Sequence, residues 1–412
     1  MYISVRDSLT GERETPANRV RRRVAGTVVL LGIVSLLTDV SSEMVSAVLP
    51  LYLTAEIGIG LLAYGFVDGV YQGVSAFVRI LGGYSGDRSR RPKWIAVVGY
   101  GVSAASRIAM LAANGMAAIT AVVTADRLGK GLRTAPRDAL IADTSEPSML
   151  GRSFGVHRAL DTLGAAIGPL AAFALLAALP RGYDAIFVVS FAVALVGLAV
   201  LVLFVPDRRV GGGTARLGIR EVVRTATGPR LRRTLVAAGL LGVLTIGDGF
   251  LYLSLQRRDD FTALLFPLLY VGTNVAYLTL AVPMGRLADR VGRARVLVGG
   301  HVALLLAYLF AASPFGGLVW TAATLLLLGV FYAASDGVLA ALVSRLVPVP
   351  ARGTGIAAAQ TVVVLARFAS SLAFGGLWVA VGRHPALLGF AVALAVAIPA
   401  AAWLLLGAEG GK

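Results

Sequence analysis

Apolar stretches of roughly twenty residues follow one another along most of this chain, separated by short polar segments rich in arginine. A helix rises about 1.5 Å per residue, so each stretch matches the roughly 30 Å of hydrocarbon in a bilayer. In lipid, a helix satisfies every backbone polar group within one segment. The pattern predicts an all-α membrane protein of twelve transmembrane helices, over 24–54, 61–82, 94–113, 117–139, 153–179, 185–205, 233–256, 262–284, 296–313, 319–345, 354–380 and 386–407. Composition agrees. Of 412 residues 57% are hydrophobic and 15% charged, with mean hydropathy +0.80, whereas soluble domains carry about 25% charge.

Net charge is +16, and its placement argues for topology over nucleic-acid binding. With the connecting segments assigned alternately to two sides, 26 Lys and Arg fall on the side of the termini and 4 (Arg181, Arg257, Arg258, Arg383) on the other. Positive residues stay inside, so both termini are expected in the cytoplasm and the protein in the inner (cytoplasmic) membrane. The 1–23 tail is polar and basic, without the apolar core of a cleaved signal, so the first span is expected to stay as an anchor. Cysteine is absent, which removes disulfides and thiolate metal sites. The longest polar break, 206–232, separates spans 24–205 from spans 233–408. Arg216, Arg220 and Arg224 recur there every four residues, which suits an amphipathic helix on anionic lipid or a solvated connector.

The two halves repeat. Gly83-Tyr-Ser-Gly-Asp87-Arg88-Ser-Arg-Arg91 and Gly285-Arg-Leu-Ala-Asp289-Arg290-Val-Gly292-Arg293 are offset by 202 residues; Gly151-Arg152-Ser-Phe-Gly155 and Ala351-Arg352-Gly-Thr-Gly355 by 200. Parallel repeats with a path between them are a transporter architecture. With its paired loop signature, the chain resembles the major facilitator superfamily (MFS) over essentially its whole length. The resemblance implies two pseudo-symmetric six-helix bundles, with Gly83, Asp87, Arg88, Gly285, Asp289, Arg290, Gly292 and Arg293 as a conformational latch. The first copy departs from the signature, having Arg90 where the second has Gly292. Gly83 and Gly285 would let helices approach closely, while Asp87 and Asp289 would meet a helix N-terminus or an Arg. Gly164-x-x-x-Gly168-Pro169 resembles the span-five motif of the drug/proton antiporter branch, with Ala172-Phe173 where Gly-Gly is common; small-residue helix packing explains it equally. Arg127 resembles the Arg of the family's span-four motif, and Lys130 stands where Gln is common.

Ionisable residues inside spans are costly and mark functional candidates. In span four, Asp126, Lys130, Arg133 and Arg137 fall on one stripe, with Arg127 off it. His157 and Asp161 share a face of span five, and counting depth from the helix ends sets Asp161 beside Lys130 and Arg133, as a proton-responsive switch or a permanent ion pair. Asp39 and Glu43 share a face of span one, which favours holding at least one proton and suits them to proton coupling or to binding a cationic substrate group. Proton-coupling candidates are therefore Asp39, Glu43, Asp126, His157 and Asp161. Asp68 and Arg107 lie at similar depth and suit a neutralising pair. Cavity candidates are Arg127, Lys130, Arg133, Arg158, Asp248, Tyr252, Asn274, Tyr277, Tyr332, Asp336, Gln360 and Arg367, while His301 and His384, near span ends, read as structural.

No phosphate-binding loop, zinc-type His pair, nucleophile elbow or selectivity filter occurs, so neither an enzyme nor a channel is indicated, and no cofactor or metal is expected. The reading is a monomeric secondary transporter, with lipids around it, that exports a small organic molecule against protons. Uptake or facilitated diffusion, and a transporter-derived receptor or scaffold, are the alternatives. Cavity charges of mixed sign suit an amphipathic drug, an organic anion or a zwitterion.

Overall fold

The apolar runs form twelve helices. Helix α1 spans Gly26–Ser46, prolonged by a turn at Leu49–Leu51 and a wider π-type turn at Tyr52–Glu56; α2 spans Leu61–Arg88, α3 Pro92–Ala109, α4 Gly115–Thr144, α5 Leu150–Ala178 and α6 Tyr183–Phe204. Helix α7 is in two pieces, Pro229–Val243 and Asp248–Asp259; α8 spans Phe266–Val291 and α9 Arg293–Ala312. Helix α10 is also in two pieces, Leu318–Ser335 and Val338–Leu346; α11 spans Arg352–Val381 and α12 Arg383–Glu409. This computed structural model describes residues 25–88, 91–146, 149–207, 228–347 and 352–409, with backbone alone for 75–88, 352–354 and 409. The 1–23 tail, the 208–227 part of the linker with its arginine stripe, and the side chains of the first latch copy at Gly83, Asp87 and Arg88 lie outside the described residues.

Ten of these helices are long and apolar enough to cross a membrane. Helices α2 and α4 fall outside that set, α4 because Asp126, Arg127, Lys130, Arg133, Arg137 and Asp138 crowd its middle. Apolar side chains on the outer faces are correspondingly bare: Leu203 of α6 is 73% exposed and Trp403 of α12 72%. Such a surface suits hydrocarbon and not water.

Both broken helices lie in the second half. At 244–247 the α7 ladder is interrupted, and Tyr308 of α9 repairs it: its hydroxyl accepts from Ile246 N at 2.7 Å and donates to Leu244 O at 2.9 Å. A freed backbone group in a dry interior needs such a partner. Helix α10 breaks at Asp336 and Gly337, where Gly337 takes φ +78°, a value that favours glycine.

Helix α1 packs on α5 and α6, α4 on α2 and α3, and α3 on α6; in the second half α10 packs on α8 and α9, α7 on α11 and α12, and α9 on α12. Contacts between the halves run mainly through two seams, α2 with α11 and α5 with α8. Small residues permit the closest crossings. A Cβ added at Gly168 of α5 would lie 2.7 Å from Glu43 Cβ and 2.8 Å from Val40 O, whereas one added at Gly285 meets nothing within 4 Å. The expectation that Gly285 serves close helix approach is thus corrected: its side faces open space.

Gly168→Ala should therefore cost about 1–3 kcal/mol through overpacking, read as a lower thermal unfolding midpoint of the purified protein, while Gly285→Ala should leave the midpoint unchanged. Equal midpoints for both variants would refute the tight α1/α5 crossing.

Candidate functional site

Helices α1, α3, α4 and α5 bring the intramembrane charges of the first half together. Asp126 is the hub. Its Oδ1 accepts from Ser103 Oγ and from Arg107 Nη1, each at 2.5 Å, and its Oδ2 accepts from Arg127 Nε at 2.9 Å and from Arg127 Nη2. Arg107 also donates to Ser42 Oγ on α1 at 2.9 Å. All three charged residues are buried. A buried carboxylate holding two guanidiniums satisfies its lone pairs and leaves a net positive unit. The pairing corrects the expected match of Asp68 with Arg107. The short connection 110–114 folds α3 directly onto α4, so Arg107 meets its own hairpin partner first.

Below Asp126 the stripe on α4 runs antiparallel to α1 as a ladder. Lys130 Nζ lies 3.9 Å from Glu43 Oε1, Arg133 Nη2 lies 3.6 Å from Asp39 Oδ1, and Arg137 Nη1 donates to Ser35 Oγ at 3.3 Å. Arg133 stacks over the Tyr100 ring at 4.5 Å, and Arg137 also meets Asp138. Asp161 of α5 stands 3.8 Å from Arg137 and 3.5 Å from Arg158, not beside Lys130 and Arg133 as depth counting suggested. Asp39 and Glu43 thus part company, because Glu43 turns to Lys130 and the central space while Asp39 turns to Arg133 and α5. The ring of His157 is buried with both nitrogens unpartnered among the described residues.

A cavity of about 590 Å³ lies between α1, α2 and α4 and the second half. The first half contributes Glu43, Tyr71, Gln72, Arg127 and Lys130; the second contributes Thr245, His301, Phe331, Tyr332, Ser335, Asp336, Gln360 and Arg367. Arg127 is held against the Tyr71 ring at 3.8 Å, and Tyr71 in turn hydrogen-bonds Ser46. The cavity reaches toward the end that carries the linker, where Leu339, Ala340 and Ile356 line it. At the other end it is sealed. Ser371 of α11 donates to Asp68 of α2 at 2.6 Å, and beyond them Tyr64, Phe250, Phe374 and Trp378 stack in a plug with ring centroids 4.8 to 6.1 Å apart. Helix positions agree, since Arg367 faces the cavity, Ser371 the seal and Phe374 and Trp378 the plug, about 6 Å per four residues.

Comparison with known proteins places this architecture. The family model of the Major Facilitator Superfamily matches residues 31–273 and 258–412. The chain belongs to that superfamily. It is 30% identical over 374 residues to an uncharacterized MFS-type transporter of Methanocaldococcus jannaschii, covering 88% of this chain and 90% of that one. Among solved structures it is similar to a mutant of the nucleoside transporter NupG (TM-score 0.79, 14% identity, 92% of this chain and 99% of that one). It is also similar to a POT family transporter in complex with 5-aminolevulinic acid (TM-score 0.79, 13% identity, 93% and 96%). The protein is therefore a multi-pass MFS transporter whose substrate these relatives do not specify.

Within this MFS chain the second latch copy is built around a helix junction. Gly292, at φ +103°, ends α8 and starts α9; Arg293 donates to Asp289 Oδ1 at 2.9 Å and to Ala341 O at 3.1 Å, tying α8, α9 and the second piece of α10 together. Gly164 and Gly168 press α5 onto α1, and Pro169 sits inside α5. Of the cavity candidates, Arg127, Lys130, Tyr332, Asp336, Gln360 and Arg367 line the space. Arg133, Arg158, Asp248, Tyr252, Asn274 and Tyr277 do not. Arg133 is walled in, and Arg158 has a side chain 77% exposed. Asp248 accepts from Tyr332 at 2.5 Å behind the wall, Tyr252 bonds Thr273, and Tyr277 reaches Asp336 at 3.4 Å. Sequence reading missed Tyr71, Gln72, Thr245 and His301. Gln72, an amide in an apolar run, was a usable signal. His301 lies two turns into α9, with Nδ1 2.8 Å from Leu297 O and its ring edge-on to Phe331, and so is not at a span end.

Asp126→Asn should leave Arg107 and Arg127 uncompensated and cost about 3–5 kcal/mol, seen as lost folded yield and a sharply lower unfolding midpoint. Asp336→Asn, on the open cavity wall, should shift stability by no more than about 0.5 kcal/mol. Similar midpoints for the two variants would remove Asp126 from its central place.

Proposed function

We propose that this protein is a proton-coupled secondary active transporter that exports a small organic molecule by rocking two six-helix lobes, residues 24–205 and 233–408, about the central cavity. The single observation that carries the reading is the cavity itself, lined by both halves, reaching toward one end and sealed at the other. The described state is one of the two that alternating access requires. The excess of Lys and Arg on the linker side orients that open end to the cytoplasm, with both termini there and the protein a monomer in the cytoplasmic membrane. The latch residues Asp289, Arg290 and Arg293, with their counterparts Asp87 and Arg88, would hold this state or release it. Similar folds include a nucleoside transporter and a transporter with bound 5-aminolevulinic acid, and a small polar solute suits a space of 590 Å³.

Proton coupling rests on Asp39 and Asp161. Asp39 lies 3.6 Å from Arg133 and Asp161 3.8 Å from Arg137, so gain or loss of a proton on either carboxyl would change what holds those cations. His157 and Glu43 adjoin this network, the first beside Arg137 and Asp161 and the second facing Lys130. Asp126, held by two guanidiniums, serves as a structural anion. The export direction is supported by the Gly164, Gly168 and Pro169 pattern alone.

In proteoliposomes with a trapped pH dye, a transported solute should drive proton movement opposite to its own. Asp161→Asn should keep solute binding and lose most of the proton movement. Solute flux indifferent to pH in the native protein would refute the coupling, proton movement along with the solute would replace export by uptake, and absence of any solute flux would refute transport.

A further inference from the structure

The cavity holds two cations that lack a hydrogen-bonded carboxylate among the described residues. Arg367 of α11 lines the space, and its Nε is shielded from water with no partner. The two acids nearest it are committed elsewhere: Asp248 accepts from Tyr332 at 2.5 Å and Asp68 from Ser371 at 2.6 Å, and neither forms an ion pair with it. Asp336, also on the wall, is bonded by Tyr277 at 3.4 Å. From the first half, Lys130 Nζ stands 3.9 Å from Glu43, beyond hydrogen-bonding distance. Arg127, by contrast, is saturated by Asp126 and stacked on Tyr71.

A guanidinium on a cavity wall with no hydrogen-bonded carboxylate leaves terminal N–H donors that an entering anion can fill. A guanidinium presents a planar fork matched to a carboxylate, and the ring of Tyr332, 5.9 Å from the Arg367 guanidinium, with Phe331 beside it, offers a flat apolar surface for the body of a molecule. We propose that the transported molecule is an organic anion whose carboxylate docks on Arg367, with Lys130 of the other lobe completing the charge match. Binding one anion from both lobes would link occupancy to their relative position. The assignment rests on the transporter reading above and names the chemical class of its cargo.

The test is thermal unfolding of the full chain in detergent with matched probes: benzoate and phenylacetate, their amides, benzylamine, and phenyl phosphate. The carboxylates should raise the midpoint and the amides and the amine should not. Arg367→Gln should weaken carboxylate binding about tenfold or more, read against the variant's own ligand-free midpoint because the change also removes a positive charge near Asp68 and Asp248. Arg367→Lys should retain part of the effect. Carboxylates no better than their amides, stabilisation by phenyl phosphate alone, or an undiminished carboxylate effect in Arg367→Gln would each overturn the proposal. A neutral or cationic ligand that is carried in the flux assay would do so while leaving the transporter reading standing.

Discussion

The buried pairing of Asp126 with Arg107 and Arg127 is the constraint on which the first half depends. An isolated ion in hydrocarbon would neutralise itself or pull water in; here one carboxylate accepts from two guanidiniums and a serine hydroxyl, and none of the three charged residues is left without a partner. The arrangement joins α3 to α4 and, through Ser42, to α1. It also fixes Arg127 against Tyr71 at the cavity wall. With the ladder from Lys130 to Arg137 below it, the first half becomes a cross-linked block whose polar side faces inward.

The second half is built differently. It carries few intramembrane charges, two interrupted helices and an aromatic plug. Its breaks lie where α7 and α10 meet the cavity, and Tyr308 keeps the α7 break satisfied without closing it into a regular turn. A stiff charged wall therefore faces a wall with joints. Among the described residues, the α2 and α11 seam brings Gly65 against Ser371 and Gly69 against Phe368, and the Ser371 hydroxyl donates to Asp68 across it.

Hydropathy alone made the helices legible, and the repeated landmarks near Asp87 and Asp289 pointed to the superfamily that the family model matches. The stripe of cations on α4 was equally readable, because helical geometry dictates which residues share a face. What sequence could not supply was which acid meets which base. Depth counted from helix ends set Asp68 against Arg107 and Asp161 against Lys130, yet a hairpin connection and the Gly164 and Gly168 crossing decided otherwise. Glu43 and Asp39 sit four residues apart on one face, and still the crossing of α5 sends them to different partners. Gln72 stood out as an amide in an apolar run, but a wall residue such as Thr245 carries no periodic signal, and tertiary packing is what joins them in one cavity.

The claim that ties these features together is that the sealed and open ends exchange roles. The chain has no cysteine, so spin labels can be placed in pairs without background. Pulsed electron-resonance distances between labels at 62 and 379 on the sealed end, and between labels at 152 and 345 on the linker end, measure that exchange directly across a range of pH. Alternating access predicts reciprocal change, one distance lengthening as the other shortens, with two populations in each distribution. Distances that stay fixed, or that lengthen and shorten in step, would contradict it.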